Sequence, residues 1–235
     1  QSSVIDFDKD RSDRSTYKLL GGSIGFYGST LNTRQYATKG YLEKLIAQVF
    51  TGRERFEPGN PQEGHSPSPQ ERQSWLQISY MKEAYHTMGP KFTLGWMAEA
   101  LYSSKNFSEN YTATMMQAGE FAPTPHSKLM YNEAFRANQY VAAGIKPIYV
   151  LNDMFQFWTE FYGFTPIFPI KKNALNKAYY GKAFSRFEYM GEVSVICHLP
   201  FGAISAYVNH YSSPRREWNV GMTIGWQLFN YRFVE

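Results

Sequence analysis

The sequence predicts an all-β fold: an antiparallel transmembrane β-barrel with about 9–10 strands in this chain, itself open to being part of a larger barrel. Three observations predict it. Long segments alternate apolar and polar residues with period two, aromatic residues gather near the ends of the apolar stripes, and the connectors alternate between short and long. Composition agrees, with 18 Tyr, 18 Phe and 5 Trp against a mean hydropathy of −0.46. Strands that are apolar on one side only keep mean hydropathy low, while interfacial girdles raise the aromatic content. No run approaches the roughly 18–20 apolar residues that a spanning helix needs.

Each element follows from its own alternation. Residues 17–28 form a weak first strand. Leu45, Ala47 and Val49 alternate with Lys44 and Gln48, and Leu76, Ile78 and Tyr80 with Gln77 and Ser79. Phe92, Leu94, Trp96, Ala98, Ala100 and Tyr102 share one face, opposite Lys91, Thr93, Gly95 and Glu99. Residues 140–151 are a second weak member. Phe155, Phe157 and Phe161 alternate with Gln156 and Glu160; Phe187, Tyr189, Val193, Val195 and Leu199 with Glu188, Glu192, Ser194 and His198. Residues 202–211 are a third weak member. The last strand is the clearest: Trp218, Val220, Met222, Ile224, Trp226 and Leu228 on one side, Asn219, Gly221, Thr223, Gly225 and Gln227 on the other. A tilted strand needs about 9–11 residues to cross the hydrocarbon, against about 5–6 in a globular sheet.

This assigns Trp218, Val220, Met222, Ile224, Trp226, Leu228, Phe92, Leu94, Trp96, Val193 and Val195 to lipid, and Glu99, Glu160, Glu188, Glu192 and Gln227 to the lumen. The alternative is a soluble β-sandwich or ligand-binding barrel, but such domains use shorter strands and a Val/Ile/Leu-rich core face. Residues 1–16 read as an N-terminal segment, a loop or the end of a preceding strand, with 2–7 the strand-like part; residues 17–235 read as the barrel domain.

The connectors fix a topology. Residues 87–90, 152–153 and 200–202 are short, whereas 51–71, 105–138 and 165–184 are long. Short periplasmic turns and long extracellular loops put the C-terminus in the periplasm and the residues before Tyr17 outside. A barrel entered from outside lacks a rising strand, so the chain is expected to be the C-terminal part of a larger protein, or residues 2–7 to supply that strand. Residues 105–138 carry Met115, Met116, Phe121, Leu129, Met130, Tyr131 and Phe135, too much apolar surface for a solvated loop. We expect a cap packed on the rim; the alternative is a plug folded into the lumen or a gating loop.

Chemical motifs are weak. Gly21-Gly22-Ser23-Ile24-Gly25 fits the G-x-S-x-G string, but that elbow needs a strand, a sharp turn and a helix, and a strand-like run follows here. An embedded hydrolase could draw on His198 or His210 with Ser194, Ser205 or Asn209. Lys44 and Lys91, with Glu99, Glu160, Glu188 and Glu192, are better read as lumenal charges seeking partners. The single Cys197 makes no internal disulfide, and Cys/His metal spacings are missing. A net charge of +4, spread along the chain, gives no nucleic-acid footprint. No catalytic residue, cofactor or metal is expected.

One stretch resembles a known turn. Leu31-Asn32-Thr33-Arg34-Gln35-Tyr36-Ala37-Thr38-Lys39-Gly40 is similar to the Asn/Asp-Thr-Arg…Pro-Thr-Arg-Gly turn of the bacterial surface-antigen barrels, with Ala37 in place of the usual proline. From Tyr17 onward the chain resembles the C-terminal outer-membrane barrel of patatin-like phospholipases. The segments that carry this are Arg72–Gln77, Asn110–Thr114, Ala118–Thr124, Asn132–Arg136 and Gly225–Glu235. The resemblance implies a Gram-negative outer-membrane anchor, able to help deliver a lipase domain that this chain does not match. The implied partners are outer-membrane lipids and the barrel-assembly machinery, with a homodimer left open. Rival readings are a free-standing small channel or binding barrel, and a barrel-embedded lipid hydrolase.

Overall fold

The computed structural model describes residues 14–57, 71–200, 202–213 and 218–226. Nine long strands form one antiparallel sheet in which sequence order is sheet order. They are β1 (Arg14–Ser29), β2 (Gly40–Glu57), β3 (Glu71–Thr87), β4 (Phe92–Ser103), β5 (Gln139–Val150), β6 (Phe155–Pro166), β7 (Glu188–Leu199), β8 (Gly202–Tyr211) and β9 (Trp218–Trp226). The nine long strands expected from the alternation are all present among the described residues. β2 and β3 run further than expected, pairing Arg53 with Arg72, so much of the expected 51–71 connector is sheet. The expectations for residues 2–7, Gln227 and Leu228 lie outside the described residues.

The sheet is open: among the described residues β1 and β9 are each paired on one side only. A closed barrel requires the first and last strands, or further strands between them, to complete the ladder. The sheet is nevertheless strongly curled. Gln35, in the β1–β2 turn, packs against Gly225 of β9, and Tyr36 in the same turn donates to Ser205 Oγ of β8 at 2.8 Å. The turn at the first two strands thus crosses the concave face to reach the last two.

Local chemistry builds that turn. Asn32 Oδ1 accepts the backbone N–H groups of Thr38 and Lys39 at 3.0 and 3.1 Å, the usual way an Asn side chain closes a turn. Gly40 has φ +90°, and a Cβ there would lie 2.1 Å from the Thr30 carbonyl oxygen. Only glycine fits. Ala37 is thereby pressed into an apolar cluster with Tyr85, Ile148, Trp158, Ile196 and Ala203.

The second insert is residues 104–138. The expected rim cap is corrected: this segment folds against the concave face. Phe121 and Phe135 find on the inside of the sheet the burial that a wet rim would deny them, whereas Met116, Leu129 and Tyr131 stay exposed. Phe121, Ala134 and Phe135 are buried with Tyr140, Tyr162, Phe164, Met190 and Tyr211 of the strands. Within it, Asn110 caps α1 (Tyr111–Gln117), accepting from Ala113 N at 2.7 Å. Arg136 binds the carbonyls of Met116 and Ala118 at 3.2 Å each and pairs with Glu120, which closes the helix C-terminus.

The two faces are chemically opposite. On the convex face, Ile24 (78%), Val220 (78%), Val49 (59%) and Val193 (53%) are exposed. On the concave face, Glu160, Glu188, Glu192, Lys146, Gln156 and Asn209 are all buried.

Candidate functional site

The most organised polar cluster lies where the inward segment meets β7, β8 and β9. A short reciprocal motif aims its central residue. Thr124 N donates to Ser127 Oγ at 3.0 Å, and Ser127 N to Thr124 Oγ1 at 3.1 Å. Held between them, His126 is fully buried and stacks on Tyr207 with ring centroids 3.5 Å apart. Its Nδ1 lies 2.6 Å from Glu192 Oε1. Its Nε2 lies 3.2 Å from Ser205 Oγ and 3.1 Å from Thr223 Oγ1, and those two hydroxyls are 2.6 Å apart.

Two proton arrangements satisfy every donor. In both, Tyr36 donates to Ser205 and His126 Nδ1–H to the Glu192 carboxylate; either Ser205 donates to Thr223 and Thr223 to His126 Nε2, or Thr223 donates to Ser205 and Ser205 to His126 Nε2. Glu192 Oε2 also accepts from Thr124 Oγ1 at 3.1 Å and Asn209 Nδ2 at 3.4 Å. Burial raises the Tyr36 phenol above its ordinary pKa, the Ser205 hydrogen bond opposing it, so it stays a donor.

Ser205, His126 and Glu192 stand in the order of a nucleophile, base and acid. Two features oppose catalysis. Ser205 is sealed, 1% exposed, under Tyr36 and Thr223. Its backbone is also paired with β7 on one side and β9 on the other, as strand ladders require, whereas an oxyanion needs free donors aimed at it. What the cluster does is tie the inward segment, the β1–β2 turn and the last three strands together.

The expected lumenal glutamates all lie on the concave side but form separate groups. Glu160 and Glu192 are cross-strand neighbours. Glu160 lies 3.9 Å from Lys146, which pairs with Glu83 at 2.7 Å. Glu188 pairs with Arg186, and Glu99 accepts from Tyr140. The cation that carries this network is Lys146, not Lys44 or Lys91. Lys44 lies over the Tyr27 ring. A cavity of about 740 Å³ remains between the two inserts, bordered by Lys44, Glu83, Glu99, Lys128, Lys146 and Glu160.

Of the residues assigned to lipid, Trp218, Val220, Met222, Ile224, Phe92, Val193 and Val195 are exposed on the convex side, with Leu94 and Trp96 half-buried there. Trp226 ends β9 opposite Gly202. Ser23 sits mid-strand opposite Gln48, with no elbow. His198 caps the end of β7, and His210 packs against Trp218; neither meets Ser205. His126 went unread, although a lone His inside an apolar-rich connector was its signal. At the start of the 104–138 segment, Lys105 Nζ lies 4.7 Å from the Trp75 ring, and burial pushes its pKa down to about 8, with Glu54 opposing. Among the described residues no three His, Cys, Asp or Glu side chains gather as a metal site.

No family model, curated protein or solved structure matches this chain.

Proposed function

We propose that this chain is the wall of an outer-membrane β-barrel that anchors a protein in the bilayer, its convex face in lipid and its C-terminus periplasmic. One observation carries the reading: strands of 9–18 residues expose long rows of apolar side chains on the convex face, while β5, β6 and β7 bury Lys146, Glu160, Glu188 and Glu192 on the concave face. A water-soluble sheet does the reverse, and a contiguous apolar face of this extent marks a lipid or protein contact. Ionisable groups in membrane proteins face the interior and pair there, as Lys146, Glu83 and Glu160 do.

The filled concavity favours an anchor over a free-standing channel, because two segments of the chain occupy the space a pore would use. The resemblance to patatin-like phospholipase barrels makes a lipase domain the anchored cargo, with the barrel-assembly machinery inserting the wall. The β1 and β9 edges leave room for more strands or for a second copy.

The experiment compares neighbours on β3. Ile78→Arg, on the convex side, should cost about 2–4 kcal/mol if it meets lipid near the bilayer midplane. Gln77→Arg, beside Gln48 on the concave side, should cost much less. Folding into vesicles, read by heat-modifiable gel mobility, should therefore fail for the first and persist for the second. Equal behaviour contradicts the reading.

A further inference from the structure

The convex face of β1–β3 carries an arrangement that sheet energetics alone disfavours. Lys18 is directly opposite Arg53, and Arg53 directly opposite Arg72. All three side chains are exposed on the convex side. Adjacent strands lie about 4.8 Å apart, so the row spans roughly 10 Å. Like charges placed directly across a ladder repel one another. Among the described residues no carboxylate relieves them. Glu57 is taken by Arg55 at 2.9 Å, and Glu54 points to the concave side, where it accepts from Tyr17 at 2.8 Å. Arg72 reaches only the Thr51 hydroxyl, at 3.4 Å.

The row has a fixed place in the apolar face. Immediately along the strands come Leu20, Val49, Ile24 and Leu76, all exposed. A shallow groove lined by Lys18, Leu20, Thr51, Arg53 and Arg72 joins the cations to this apolar surface. At the far end of the same strands charge is balanced: Lys82 pairs with Glu43 at 3.4 Å, and Tyr80 donates to the same carboxylate. The unbalanced end is the one with the long connector between β2 and β3, the outward end under the topology proposed above.

We propose that Lys18, Arg53 and Arg72 form a binding site for the phosphorylated headgroup of an outer-leaflet glycolipid of the lipid A type, whose acyl chains lie along Leu20, Ile24 and Val49. The inference rests on the membrane reading. Charge selects the occupant. Each phosphomonoester carries about −1.5 to −2 at neutral pH, so a bisphosphorylated lipid matches three cations. An anionic phospholipid, with a single phosphodiester charge, leaves the row positive. Arginine also meets phosphate through paired N–H donors, which gives geometric preference as well as charge.

The test reconstitutes the whole chain in phosphatidylcholine nanodiscs doped with lipid A or with phosphatidylglycerol, and measures co-retained lipid by native mass spectrometry. Lipid A should be retained over phosphatidylglycerol, and Arg53→Gln or Lys18→Gln should each lower its retention roughly five- to tenfold. Lys82→Gln, at the balanced end, should change nothing. Equal retention of the two lipids, or retention indifferent to both substitutions, overturns the proposal. Insertion without any lipid preference sinks this site alone, whereas failure to insert into phosphatidylcholine sinks the membrane reading with it.

Discussion

At the scale of single residues, His126 shows how far a buried side chain can be committed to structure. Removing it leaves the Glu192 carboxylate, 3% exposed, without its closest partner. Breaking a buried pair by deleting one member costs about 3–5 kcal/mol, while replacing both members with apolar groups is often close to neutral. His126→Ala should therefore destabilise strongly, and His126→Ala combined with Glu192→Met should recover most of the loss. Denaturant unfolding of the chain in detergent checks both. A loss below about 1 kcal/mol for the single variant would mean that the cluster is not a structural tie, and the nucleophile–base–acid order would need a chemical explanation. Residue-scale features were the least legible in the sequence. The alternation assigned a side to Glu160, Glu188 and Glu192 because it is a property of the strand. Nothing along the chain brings residues 126, 192, 205 and 223 together, since that depends on how far the sheet curls. Lys146 was closer to legible, because continuing the alternation from Tyr140 places it inward.

At the scale of elements, strands were readable and inserts were not. Period-two patterning locates β4 and β7 almost to the residue, and the start of β9, because register on a two-faced sheet is set by side-chain chemistry. The ends of β2 and β3 escaped, since Gly52-Arg53-Glu54-Arg55 lacks an apolar stripe although both strands continue through it. The 104–138 segment was recognised as too apolar for a solvated loop, yet its direction was misjudged. The choice between rim and lumen depends on free space inside the sheet, which no local pattern encodes. The β1–β2 turn was flagged by its resemblance, and the structure supplies the reason: Asn32 closes it, and Gly40 alone fits beside the Thr30 carbonyl. Gly40→Ala should disrupt it, as strain at a required positive φ commonly costs about 1–3 kcal/mol. The loss should also loosen the Tyr36–Ser205 contact on β8. Proteolysis of the folded chain would show this as new cleavage within 30–41; an unchanged digest would contradict the account of the turn.

At the scale of the whole molecule, the inversion of faces organises everything else. Exposed convex rings such as Phe92, Phe157 and Trp218 account for part of the high aromatic content, while Tyr140, Tyr162, Phe164 and Tyr211 pack inside. Lys146, Glu160, Glu188 and Glu192 are buried on the concave side, where the two inward segments keep them from water. The open edges at β1 and β9 follow from nine strands whose ladder is not completed among the described residues. Alternation along one strand tests the inversion most directly. With nitroxide labels placed singly at residues 74–80 of β3 and the chain folded in lipid vesicles, collisions with oxygen and with a water-soluble nickel complex report lipid and water respectively. The account predicts that positions 76, 78 and 80 favour oxygen while 75, 77 and 79 do not, a two-residue oscillation. Uniform access of the nickel complex to both sets would contradict it.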